Sequence, residues 1–167
     1  EKHATPDWLD KFTYGLPELY RDKLKTAKYV SGVGCNATAV NLGLLPLVNA
    51  GLLDEQKPII AELKVGSSEG GASVNPGSHH PERSSTVRTY KAYGHRHTAE
   101  VIQESGLADV TLTMTSVGLV RGALATVHGT VKDGVALKDL WKAYRLAASQ
   151  NPFLRIVKER RGIYRVP

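Results

Sequence analysis

Between Asp109 and Ser116 the chain reads Asp-Val-Thr-Leu-Thr-Met-Thr-Ser, with apolar residues alternating with threonine over the whole stretch. A period of two places Val110, Leu112 and Met114 on one face and the threonines on the other, which predicts a strand with one buried and one polar face. Such a strand belongs in a sheet covered on one side. Ala123 to Val131 supplies a second long strand, closed by a turn at Lys132-Asp133-Gly134, and the two are expected to be antiparallel neighbours. Pro58 to Val65, Val87 to Tyr90 and a short stretch over Lys28 to Ser31 read as further strands.

Helical patterns are interleaved with these strands. From Asn36 to Ala50 the apolar residues Ala37, Val40, Leu44, Leu45, Leu47 and Val48 predict a helix buried almost all round, closed by Gly51 and bent or cut short by Pro46. Pro17 to Leu24 reads as a short helix behind an irregular lead-in. Thr98 to Ser105 reads as one capped by Thr98 or His97 and ended by Gly106. Leu137 to Ser149 is amphipathic, with Leu137, Leu140, Trp141, Tyr144 and Ala148 on one face. Gly66 to about Ser84 reads as a single long loop, a feature that tends to be functional. Intermixed strands and helices give the class α+β, and 167 residues fit one domain over 1–167.

Twenty-two Lys and Arg against sixteen Asp and Glu leave a net charge of +6, which favours an anionic partner. A basic nucleic-acid-binding module is one alternative, but 7% aromatic residues offer little for stacking bases, and no nucleic acid is expected as partner. No apolar run approaches the roughly 18 residues of a membrane span, and Glu1-Lys2-His3 lacks the layout of a signal peptide. With a single cysteine there is no disulfide framework, so a soluble, cytoplasmic protein without a membrane partner is expected.

That cysteine, Cys35, follows Gly32-Val33-Gly34 and precedes the apolar helix. Three readings stay open. It is an inert packed residue, part of a G-x-G-x-x-A dinucleotide loop with Gly34 and Asn36 against the cofactor, or a nucleophile whose thiolate is stabilised by a helix start. The run Gly94-His95-Arg96-His97-Thr98-Ala99-Glu100 offers general acid–base groups: one histidine moves a proton while the other, or Glu100, orients it. A zinc-dependent hydrolase built on Cys35, His95, His97 and one of His79 and His80 is a further alternative, without the helical ligand spacing of known zinc motifs. Gly66-Ser67-Ser68-Glu69-Gly70-Gly71 offers backbone N–H groups and hydroxyls as a nest for phosphate or carboxylate oxygens. His80 and Arg83 add cations beside it, and Arg121 reads as an anion clamp or a solvated turn residue.

Tyr14-Gly15-Leu16-Pro17-Glu18-Leu19, Gly34-Cys35-Asn36-Ala37-Thr38-Ala39, Gly66-Ser67-Ser68-Glu69-Gly70-Gly71, His95-Arg96-His97-Thr98-Ala99-Glu100 and Arg121-Gly122, in that order, resemble the N-acetyl-γ-glutamyl-phosphate reductase family. The His79 to Ser84 insertion and Gly94-His95-Arg96-His97-Thr98-Ala99-Glu100-Val101 look more like its carrier-protein-dependent branch of lysine and arginine biosynthesis, and Asn36-Ala37, where many relatives have an aromatic residue and a proline, fits that branch. The resemblance implies an NADPH-dependent acyl-phosphate reductase that forms a thioester on Cys35 and releases a semialdehyde. It implies that His97 or His95 moves protons, that Glu100 orients the imidazole, and that Ser67, Ser68, Arg121, Arg83 and His80 hold the substrate. It further implies a fold like the C-terminal catalytic and dimerisation domain of glyceraldehyde-3-phosphate dehydrogenase: a mixed, mostly antiparallel sheet with helices on one face and a second subunit against the other. A homo-oligomer, an acyl-phosphate substrate and a small acidic amino-group carrier protein are the partners expected. Family members open with a Rossmann-type NADP domain whose motif is absent from this chain, so NADPH is expected to be held mainly by a domain not present here.

Overall fold

The computed structural model describes residues 4–157. Residues 1–3 and 158–167, which include the amino-terminal stretch searched for a signal peptide and the end of the expected domain, lie outside the described residues. The chain divides into two compact units, residues 1–34 and 35–167.

The first unit is small. A 3-10 helix over Pro6–Lys11 leads into strand β1 (Thr13–Tyr14), helix α1 (Pro17–Thr26) and strand β2 (Val30–Ser31), and β1 and β2 pair in parallel. Trp8, Phe12 and Tyr29 form an aromatic cluster with ring centroids 5.3 to 6.4 Å apart. Gly15 is obligatory here, because a Cβ at this position would lie 2.5 Å from the Ser31 carbonyl oxygen.

The second unit holds α2 (Cys35–Asn49), β3 (Ile59–Val65), α3 (His80–Arg83), β4 (Val87–Lys91), α4 (His97–Ser105), β5 (Val110–Val117), β6 (Ala123–His128) and α5 (Leu137–Gln150). Its four strands lie in the order β4-β5-β3-β6, with β3 parallel to β5 and the two outer pairings antiparallel. This is the mixed, mostly antiparallel α+β sheet expected. The alternation in β5 is realised: Val110, Leu112, Met114 and Ser116 are buried, opposite Ile59, Ala61, Leu63 and Val65 of β3. Burying a Leu or Met side chain contributes about 1.5–3 kcal/mol, whereas strand propensities span about 1 kcal/mol. Burial therefore fixes the register, since a one-residue slip would expose the whole set.

Helix α2 runs through Pro46 to Asn49 without ending early, and Gly51 closes it at φ +66°. It packs on α4, β6 and α5, and Val40 and Leu44 are buried in the same core as Leu63 and Leu112. The Tyr144 hydroxyl of α5 donates to the Gly43 carbonyl at 2.6 Å, joining the two helices. On α5 the buried residue is Ala143, while Leu137, expected on the apolar face, is 70% exposed.

Strands β5 and β6 are not neighbours, contrary to the sequence expectation. Strand β3 lies between them, and the short connection 118–122 crosses its end. That crossing is held by three backbone hydrogen bonds: the N–H groups of Gly66, Ser67 and Ser68 donate to the carbonyls of Gly122, Leu119 and Val120 at 2.8 to 2.9 Å. Gly66 permits the approach, since a Cβ there would meet the Val120 oxygen at 2.8 Å. The presumed loop from Gly66 to Ser84 also contains regular pieces, a 3-10 helix over Ser67–Gly70 and the one-turn α3.

Candidate active site

Cys35 is the first residue of α2 and is solvent-exposed, while the next residue, Asn36, is 1% exposed. The helix packs through Ala37, Val40 and Leu44, so its first turn carries Asn36 inward and leaves the thiol accessible. Asn36 Nδ2 donates to Glu69 Oε2 at 3.1 Å, and the Tyr90 hydroxyl donates to Glu69 Oε1 at 2.7 Å. One carboxylate is thereby gripped from α2 and from β4.

Helix α4 presents the histidines. His97 opens it and shares a face with Val101 and Ser105, at intervals of four residues, so the face that buries Val101 also draws His97 in to 6% exposure. The expected cap at Thr98 or His97 is not formed. Instead His95 Nδ1 accepts the His97 backbone N–H at 3.2 Å, which leaves the His95 proton on Nε2. The two rings meet edge to face with centroids 4.6 Å apart, and Arg96 Nε donates to His97 Nε2 at 3.4 Å.

The electrostatics tie these groups together. Burial and the Glu69 charge push the Cys35 thiol above its ordinary range, outweighing the backbone N–H groups of Asn36 and Cys35 and the Arg96 charge, which pull it down. A helix start alone predicts the opposite sign. The protein mass around the sulfur and the neighbouring carboxylate decide it, although the residue is open to solvent. Burial pushes His95 and His97 below the usual imidazole range, with Arg96 adding to the effect on both; Glu69 opposes it at both, and Glu100 at His97. Burial and the bond to Glu69 push the Tyr90 phenol far upward, so it is a fixed donor.

Beside Glu69 and Tyr90 lies a cavity of about 200 Å³ whose lining includes Ser78, Arg83, Arg88 and Ser116. Arg83 is 3% exposed, donates from Nη2 to the Val65 carbonyl, and has no partner for Nε. Asn36 Oδ1 and His97 Nδ1 are likewise buried without a partner. Leaving such atoms unpaired costs about 1–3 kcal/mol each, so each is a candidate to receive a polar ligand.

The structure therefore links Cys35 and Asn36 with Glu69, and the same carboxylate acts on Tyr90, His95 and His97. Other expected residues have partners of their own or lie exposed. Ser67 Oγ lies 3.2 Å from His80 Nδ1, a contact that fastens α3 to the Ser67–Gly70 turn, while Ser68 and Arg121 are exposed. Of the nest expected over Gly66 to Gly71, the Gly66, Ser67 and Ser68 N–H groups bond the carbonyls of Gly122, Leu119 and Val120. Gly34 belongs to the first unit. Glu69, Tyr90 and the cavity residue Arg88 are ones that sequence reasoning did not single out. Glu69 stands in a Gly-Ser run with nothing local to mark it, and Tyr90 lies within the Val87–Lys91 strand. Among the described residues no group of three or more His, Cys, Asp or Glu converges for a metal, so the zinc-hydrolase alternative finds no ligand set. No helix among them is long and apolar enough to cross a membrane.

The chain thus presents an α+β unit with a half-covered mixed sheet and an accessible cysteine at a helix start, with one carboxylate whose field reaches both the thiol and the paired histidines. The chain belongs to the semialdehyde dehydrogenase dimerisation-domain family, whose model matches residues 35–166. Among its relatives, the LysW-L-2-aminoadipate 6-phosphate reductase of Deinococcus radiodurans is 48% identical over 100% of this chain and 48% of its own length. A Thermomicrobium roseum protein given that reductase name in provisional form is 50% identical over 99% of this chain and 48% of its own length. The LysW-L-2-aminoadipate/LysW-L-glutamate phosphate reductase of Sulfurisphaera tokodaii is 46% identical over 94% of this chain and 46% of its own length. The chain thus spans about half the length of these relatives.

Proposed function

We propose that this chain is the catalytic and dimerisation part of an acyl-phosphate reductase that produces a semialdehyde through a thioester on Cys35. The observation that carries the reading is the accessible thiol at the head of α2, next to buried Asn36 and in the field of the carboxylate that also acts on His95 and His97.

His97 takes the thiol proton on Nε2, the ring nitrogen that accepts only a 3.4 Å bond from Arg96, whereas His95 Nδ1 is committed to the helix start. Because both imidazoles are held below their usual range, they are neutral and ready to accept a proton. Sγ attacks the acyl carbon, the C–S bond forms, and the bond to the phosphate oxygen breaks with its electron pair leaving on phosphate. The N–H groups of Cys35 and Asn36, which favour the charged sulfur, are the backbone donors at the helix start for the oxyanion that develops. Arg83 and Arg88 hold the anionic substrate in the cavity beside Glu69.

Asn36 Oδ1, a buried acceptor with no donor, suits the carboxamide N–H of a nicotinamide, while Asn36 Nδ2 is spent on Glu69. When bound, NADPH supplies the hydride that reduces the acyl carbon. Cleavage of the C–S bond then returns the electron pair to Sγ and frees the aldehyde. Glu100 raises the affinity of His97 for its proton and orients the ring. The substrate is a glutamyl or aminoadipyl phosphate on an acidic carrier protein, supported by the relatives' names and by the net charge of +6. The open sheet face, with Ile60, Leu124, Thr126 and His128 exposed, is where a second copy pairs. Replacing Cys35 by Ser in the whole reductase tests the reading. Reduction should fall by several orders of magnitude, and retained activity would refute it.

A further inference from the structure

We propose that Glu69 is a positioning residue for Cys35: hydrogen bonds from Asn36 and Tyr90 fix its carboxylate beside the first turn of α2, where its charge restrains the nucleophile. The geometry stands on three elements. Asn36 reaches Glu69 from the residue next to the thiol, at 3.1 Å, and is 99% buried, so it cannot swing away. Tyr90 reaches the other carboxylate oxygen from β4 at 2.7 Å. Glu69 itself sits in a 3-10 turn whose Ser67 and Ser68 N–H groups are bonded to the β5–β6 connection. A carboxylate with both oxygens held and its own turn stapled to the sheet has one position.

The groups facing the thiol and this carboxylate are His95 and Arg96 ahead of α4, His97 at its first position, Tyr90 on β4 and Arg83 on α3. Arg96 pulls the thiol toward its charged form and Glu69 pushes it toward the neutral form, the push being the larger. The same carboxylate favours the protonated form of both histidines. Burial and, next to it, Glu69 hold the sulfur toward its neutral form at rest, sheltered from oxidation, and leave its deprotonation to the imidazole at the moment of attack. The catalytic meaning rests on the thioester reading of Cys35; the charge relationship does not.

Because Cys35 is the only cysteine, iodoacetamide alkylation of the 167-residue chain as a function of pH reads this thiol alone. Glu69→Gln, which keeps the size and removes the charge, should move the alkylation limb to lower pH and speed alkylation several-fold near neutrality. In the same variant the histidine titrations, followed by NMR, should also move down. Tyr90→Phe retains the charge and removes a donor that shields it, so its alkylation limb should stay in place or move up. A Glu69→Gln profile superimposable on the native one, or a downward shift in Tyr90→Phe, would overturn the proposal. Loss of thioester formation with these shifts intact would instead indict the functional reading.

Discussion

Asn36 Nδ2 donates to Glu69 Oε2 across 3.1 Å, joining the residue after the only cysteine to a carboxylate thirty-three positions further along the chain. The bond is made by a side chain that is 1% exposed, so replacing it has a structural as well as a chemical cost. Asn36→Ala should destabilise the fold by about 1–3 kcal/mol, the range for a buried hydrogen bond whose partner is left behind. Asn36→Asp, which brings two carboxylates together, should cost more. Urea midpoints at constant m-value provide the check.

Gly66 lies where β3 passes under the 118–122 connection, and a Cβ there would lie 2.8 Å from the Val120 oxygen and 2.9 Å from the Arg121 nitrogen, both backbone atoms. Gly66→Ala should therefore cost about 1–3 kcal/mol through overpacking. Gly32→Ala, where nothing lies within 4 Å, is the control and should stay within about 0.5 kcal/mol of native.

The arginines of the cavity should separate in their effects. Arg83 is buried and donates to the Val65 carbonyl, so Arg83→Met should lose about 1.5–3 kcal/mol of stability together with substrate affinity. Arg88 lines the same cavity but is exposed. Arg88→Ala should leave the thermal midpoint nearly unchanged and raise KM for the acyl phosphate, with kcat less affected.

Stability should depend on pH with a sign set by the shifted groups. His95 and His97 are pushed below the usual imidazole range, so as pH falls through that range the unfolded chain takes up protons first and stability falls. Cys35 is pushed upward. As pH rises through the ordinary thiol range the unfolded chain loses its proton first, and stability falls there too. Thermal midpoints across pH 5 to 10 should pass through a maximum, and His97→Gln should flatten the acid side.

Much of this architecture was legible in the sequence because it is written in local periodicity. The threonine alternation gave β5 its buried face, and the dense apolar run gave α2 a helix buried nearly all round. Strand order was not legible, because it depends on which edges meet in space: β3 separates β5 and β6, and only the carbonyls of Leu119, Val120 and Gly122 on the N–H groups of Ser67, Ser68 and Gly66 reveal why. The same bonds occupy three of the backbone N–H groups of the anion nest expected over Gly66 to Gly71. Cys35, His95 and His97 were readable as residue types suited to their chemistry. Glu69 was not, since its role comes from partners thirty-three and twenty-one residues away, and nothing local distinguishes it from a solvated acid in a flexible connector.

The central claim is that Cys35 carries the acyl group. Its most direct test is intact-mass analysis of the 167-residue chain after mixing with an N-acylated glutamyl or aminoadipyl phosphate, with no nicotinamide present to discharge the intermediate. The account predicts a mass gain equal to one acyl group, located on Cys35, released by hydroxylamine and absent from Cys35→Ser. A chain that stays unmodified, or a Cys35→Ser chain that gains the same mass, would contradict it.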